Sequence, residues 1–236
     1  MRDIMARWPD LHLHAMAPSE IEHLARVSKI TTLEVLKRLQ AAGMKSMPGG
    51  GAEVLTERVR AIIAPRKTSS DDWIRIMEEA HSIGMRTTAT MMYGHVEHTA
   101  DRIEHLQRLR DLQDRTGGFT AFIGWTFQPG GNPLGDELIA SGWSKATHAE
   151  YFRVTSIARI FLDNFDNIQA SFVTQGADAA QLSLRMGCND FGSVMLEENV
   201  VSAAGCCELI DVTGIEKHIV QAGFTPRQRN QEYALL

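Results

Sequence analysis

Short apolar segments of strand character alternate with longer amphipathic ones between residues 11 and 223, and this alternation restricts the possible fold more than any other feature. LHLHAM at 11–16 alternates like a strand, and the run from Ile21 to Gly43 then reads with helical period, as two helices. A strand precedes Gly49. A helix over DDWIRIMEEAHSIG, capped by Ser69 or Ser70 and stopped at Gly84, leads into the strand MRTTATMMYG. The pattern repeats with the helix TADRIEHLQRLRDLQDRTGG, the strand FTAFIGWTFQP and the helix HAEYFRVTSIARIFLDNF, which places Ile157, Ile160 and Phe161 on one face. NIQASFVTQG reads as a strand, DAAQLSLRMG as a short helix, DFGSVML as a last strand, and 214–223 as a closing helix. Six strands alternating with helices imply parallel pairing through right-handed crossovers. The expected fold is α/β, a partial (βα) TIM-type barrel holding about six of the eight units, in a single domain over 1–236.

Chemistry in such barrels gathers at the C-terminal ends of the strands. The polar and glycine-rich departures from the pattern all follow strands: His14, Gly49 to Glu53, Gly94 to Glu97, Gln128, Thr174 to Gly176, and Glu197 to Asn199. GGGAE matches neither a phosphate loop nor the dinucleotide spacing. Its glycines permit φ > 0 and close approach of a ligand to the backbone, while Glu53 serves either a ligand's hydroxyl or ammonium group or the dipole of the helix behind it. YGHVE repeats the arrangement with Gly94 and Glu97. His12 and His14 share one side of a strand, as a metal pair or as a pocket-facing pair without metal. Trp125 and Phe127 alternate along one face, and the methionines read as core filling.

A formal charge of -5 and a pI near 6.0 give no electrostatic basis for binding nucleic acid or an anionic membrane. No apolar run approaches the ~20 residues of a membrane span, and MRDIMARWPD lacks the apolar core of a signal peptide, so the chain reads as cytoplasmic. Cys188, Cys206 and Cys207 suit neither a disulfide framework nor a tetrahedral metal site.

GMKSMPGGGAEVL, MRTTATMMYGHVE, TGGFTAFIGWTFQPG, IQASFVTQG and NDFGSVMLEENVVSAAG, in that order, resemble the radical S-adenosylmethionine enzymes of the futalosine route to menaquinone. The resemblance runs from Leu11 to the AGFTPRQRNQEY end and is stronger for the cyclising branch than for the siblings that make aminodeoxyfutalosine or the deazaflavin precursor. It implies S-adenosyl-L-methionine and a [4Fe-4S] cluster as cofactors, dehypoxanthine futalosine as substrate, and an electron donor for the cluster. A 5′-deoxyadenosyl radical would take a hydrogen from the substrate ribose, and ring closure to a spiro product would follow. The family's CxxxCxxC cluster loop is absent from this chain, and the cysteines present have the wrong spacing to replace it. The resemblance therefore implies a chain that lacks the first two barrel units and is inactive alone.

By position, the resemblance assigns Gly49, Gly50, Gly51 and Glu53 to the ribose or amino acid part of the cofactor, and Gly94 and Glu97 to its adenine. On the substrate side it assigns His14, Gln128, Gln175, Asn189, Asp190, Glu197 and Asn199. Two other readings stand beside it: a metal-dependent hydrolase using His12 and His14, and a non-catalytic binding module whose open sheet edges would favour association.

Overall fold

A computed structural model describes residues 1–197, 202, 205 and 209–236. A short helix α1 (Arg2–Arg7) leads to strand β1 (Leu13–His14), which is followed by α2 (Pro18–Ser28) and α3 (Thr32–Ala41). Strand β2 (Met44–Met47) is followed by α4 (Glu57–Ile63) and α5 (Ser70–Ser82), and β3 (Arg86–Tyr93) by α6 (Thr99–Thr116). Strand β4 (Phe119–Thr126) precedes α7 (Pro133–Ala140) and α8 (His148–Phe161). Finally β5 (Ile168–Gln169) gives way to α9 (Phe172–Gln175), α10 (Ala177–Ser183) and α11 (Val212–Gln221).

The pairings between these five strands are all parallel and the order is β1-β2-β3-β4-β5, so each crossover adds its strand on the same side. That succession is the α/β barrel arrangement the alternation predicts. The longest pairing, β3 with β4, runs from Thr87↔Phe119 to Tyr93↔Thr126. Helices cover one side of the sheet, where Trp73, Phe119 and Phe165 stack with centroids 6.3 and 5.3 Å apart. The helix ends carry their expected signals: Ser69 Oγ accepts from the Asp72 N–H, and Gly117 closes α6 at φ 59°.

Five expectations change. The sixth strand, expected at DFGSVML, is a single parallel bridge, Gln169↔Asp190. There the Asp190 carboxylate accepts from the Gly192 N–H at 2.7 Å and Gly192 turns to φ 105°, which ends the extended backbone. NIQASFVTQG is extended only over Ile168–Gln169; its second half is the helical turn α9, with Ser171 Oγ and Thr174 Oγ1 paired at 2.8 Å. LHLHAM pairs only through Leu13–His14. On α8 the buried face is Tyr151, Val154, Thr155 and Ala158, leaving Ile157 and Ile160 exposed. Tyr151 sets that rotation by receiving the Ser171 N–H on its hydroxyl. Helix α7, capped by Asn132 and begun by Pro133, lies in a stretch the alternation leaves without an element.

Candidate functional site

The glycine loop after β2 is built by two opposed demands. Gly49 is fixed by packing: its N–H donates to Thr88 Oγ1 at 2.9 Å, its carbonyl accepts from Thr90 Oγ1 at 2.6 Å, and an added Cβ would lie 2.5 Å from the Thr88 carbonyl oxygen. Gly50 is freer, with only Ala17 Cβ 3.4 Å from the same position, and its carbonyl takes the indole N–H of Trp73. Gly51 has φ 76° and Glu53 φ 48°, a left-handed backbone that an L-residue with a side chain adopts only under constraint. The constraint comes from both flanks: the Glu53 carbonyl takes the Met92 N–H of β3, and the buried Arg60 of α4 donates to the carbonyls of Gly51 and Ala52. The turn holds the Glu53 side chain 10% exposed, and Lys67 Nζ lies 2.6 Å from its Oε1.

The YGHVE loop after β3 is organised around a carboxylate that faces inward. Glu97 accepts from the N–H groups of Gly94 at 2.6 Å and His95 at 2.9 Å, and pairs with Arg102 Nη2 at 2.6 Å, while its side chain is fully buried. Burial raises its pKa, but the hydrogen bonds and charge of His95 with the two N–H groups outweigh that and hold it at about 2. Arg102 also lies over the Tyr93 ring and reaches Glu150 of α8. Glu97 therefore shapes its loop, and the loop's outer surface is Gly94, at φ 86°, whose carbonyl takes the Trp143 indole N–H.

Gln128, just beyond β4, and Gln175, the last residue of α9, meet on one hydroxyl. Their amide nitrogens donate to Thr126 Oγ1 at 3.1 and 2.8 Å, and Lys145 Nζ donates to Gln128 Oε1 at 2.6 Å. Thr126 and the lysines escaped sequence reading, because a threonine at the end of a β-branched strand and lysines in loops carry no motif.

His12 and His14 converge as their alternation requires: both imidazoles contact Ser46 Oγ, at 2.7 and 2.6 Å. Burial lowers both pKa values, that of His14 to about 4, with the neighbouring His12 adding to the effect. Among the described residues no group of three or more His, Cys, Asp and Glu side chains is placed to hold a metal ion. Asp190 accepts from Arg229 Nε at 2.5 Å, and Arg229 lies 3.9 Å from the Tyr233 ring centroid. Asn189 is turned to the start of β5, accepting from Ile168 N–H and Arg159. Glu197 is exposed, and Asn199 lies outside the described residues. Gly49–Glu53 and Gly94 thus follow β2 and β3, Gln128 and Gln175 meet at Thr126, and Asn189 is turned toward the start of β5.

Parallel strands with a glycine-and-glutamate loop after one of them and polar amides after the later ones define the class. A family model described as the Radical SAM superfamily matches residues 2–109, and one described as the CofH/MqnC C-terminal region matches residues 116–236. The chain belongs to the radical SAM superfamily, in its CofH/MqnC branch.

Within that branch, a cyclic dehypoxanthine futalosine synthase of Streptomyces coelicolor is 48% identical over 230 residues, 98% of this chain and 56% of that protein. One of Halalkalibacterium halodurans is 43% identical over 236 residues, 100% of this chain and 62% of that protein. A 5-amino-6-(D-ribitylamino)uracil–L-tyrosine 4-hydroxyphenyl transferase of Methanosarcina acetivorans is 42% identical over 233 residues, 98% of this chain and 62% of that protein. The chain spans about three fifths of the length of these relatives.

The family consists of enzymes that use S-adenosyl-L-methionine and a [4Fe-4S] cluster. The described residues do not fit the cluster. Cys188 is buried, its thiol pushed up to about 11 by desolvation, and Cys206 and Cys207 lie outside the described residues. The glycine loop sets the Glu53 carboxylate beyond β2, where it already pairs with an ammonium group, that of Lys67. No helix among the described residues is long and apolar enough to cross a membrane.

Proposed function

We propose that this chain is the larger part of a radical SAM cyclase that closes dehypoxanthine futalosine to its cyclic spiro product in menaquinone biosynthesis, in the cytoplasm. The observation that carries this reading is the 48% identity to the Streptomyces cyclase across 98% of the chain, together with the strand-end loops described above. When bound with its cluster, S-adenosyl-L-methionine supplies a 5′-deoxyadenosyl radical for hydrogen abstraction from the substrate ribose.

The chain's own part is binding and orientation. Gly50, Gly51 and Glu53 receive the ribose and amino acid portion of the cofactor, Glu53 taking its ammonium group. Gly49 sets the loop against β3, and the Gly94 loop, held by Glu97, borders the adenine. Gln128 and Gln175 hold one another through Thr126 and present amides to the substrate, with Lys145 beside them for an anionic group. His14 and Asp190 complete the substrate side. The cluster ligands and the contact with an electron donor belong outside the described residues, so the chain by itself binds without turning over.

Calorimetry in the presence of S-adenosyl-L-homocysteine tests the assignment. Dehypoxanthine futalosine is expected to bind at least about tenfold more tightly than 5-amino-6-(D-ribitylamino)uracil, a difference near 1.4 kcal/mol. The reverse preference assigns the chain to the transferase sibling instead.

A further inference from the structure

We infer that Arg60 is a positioning residue that sets the glycine loop for its ligand, an inference that rests on the cofactor assignment of that loop. Arg60 stands on α4, seven residues beyond Glu53, and is 2% exposed. Its Nη1 donates to the carbonyl of Gly51 at 3.0 Å and to that of Ala52 at 2.7 Å, and its Nη2 donates to the carbonyl of Thr68. No carboxylate among the described residues lies within ion-pair distance of it. A buried guanidinium is costly unless its donors are used; here Nη1 and Nη2 are spent on main-chain carbonyls of two loops, while the buried Nε has no hydrogen-bond partner among the described residues.

Peptide geometry turns this into a statement about direction. A trans peptide sets each C=O opposite the N–H of the next residue. With the Gly51 and Ala52 carbonyls drawn into the guanidinium, the N–H groups of Ala52 and Glu53 face the other way. The same clamp holds Gly51 and Glu53 in their left-handed conformations. Through Thr68 it also pins the 64–68 turn, so that Lys67 reaches Glu53 at 2.6 Å. Arg60 thereby fixes which way the loop's peptides point and where its carboxylate stands. Its planar fork is required, because an ammonium cannot reach carbonyls on both loops in one plane.

The test is amide hydrogen exchange of the whole chain, read by mass spectrometry for Arg60→Met and Arg60→Lys, alongside calorimetry with S-adenosyl-L-homocysteine. The expected result is exchange at least about tenfold faster over residues 50–53 and 66–68 in Arg60→Met, with β3 and α5 unchanged. Arg60→Lys should fall between it and the parent chain. Affinity for S-adenosyl-L-homocysteine should drop by about tenfold or more in Arg60→Met. Unchanged exchange in the two loops, an equal rise throughout β3 and α5, or failure of both variants to fold overturns the inference. If the parent chain does not bind S-adenosyl-L-homocysteine, the cofactor assignment falls, while the exchange pattern still decides whether Arg60 sets the loop.

Discussion

Lys67 Nζ lies 2.6 Å from Glu53 Oε1, joining a half-exposed cation to a carboxylate that is 10% exposed. A pair of this kind contributes under about 1 kcal/mol to stability, because the lysine remains solvated and loses side-chain freedom. Its meaning is chemical: Glu53 accepts an ammonium group in the position the loop gives it. Glu53→Gln is expected to weaken S-adenosyl-L-homocysteine by about tenfold and to leave 5′-methylthioadenosine, which has no amino acid part, unaffected. Equal losses for both ligands in calorimetry would remove Glu53 from that role.

Gly49 and Gly50 should separate by function. Gly49→Ala places a methyl 2.5 Å from the Thr88 carbonyl oxygen and is expected to cost about 1–3 kcal/mol of stability. Gly50→Ala meets only Ala17 Cβ at 3.4 Å and should leave the denaturation midpoint nearly unchanged while reducing ligand affinity. Urea melts of the two variants check the contrast.

Acid should destabilise the fold in two stages. Burial lowers His14 and His81 to about 4, so between the ordinary histidine value of 6.5 and that point the unfolded chain binds more protons than the folded one. Stability falls as pH drops through that window. Glu97, held at about 2 against an ordinary 4.5, extends the loss below pH 4.5. Glu97→Gln removes the second stage and destabilises the chain by about 2–3 kcal/mol at neutral pH, since Arg102 and two N–H groups lose a charged acceptor. Thermal melts from pH 3 to 8 follow both stages.

Thr126→Val should cost about 1–3 kcal/mol, because the buried Gln175 amide loses an acceptor in Thr126 Oγ1. Substrate affinity should fall with it as Gln128 and Gln175 lose their common anchor. Stability unchanged in thermal melts would deny the hydroxyl that role.

The alternation of strand and helix carried the fold because each crossover needs its own apolar period, and those of α5 with β3 and α6 with β4 are long enough to read. Short elements were obscured where side-chain hydrogen bonds decide the backbone. Asp190 and Gly192 end the sixth strand at one bridge, and the Ser171–Thr174 pair turns an apparent strand into α9. The glycine loop and both glutamines were legible as polar interruptions at strand ends. Arg60, Thr126 and Lys67 were hidden because their partners are backbone atoms or residues distant in sequence, which no local pattern encodes.

The last turn of the chain adds a consequence for handling the protein. Arg229 is anchored on Asp190 beside β5, and Tyr233 donates to Gln169 Oε1. Residues 229–233 thus clamp their own segment onto β5 and onto the Gln169↔Asp190 bridge beside it. Removing residues 229–233 releases Asp190 and Gln169 from these partners.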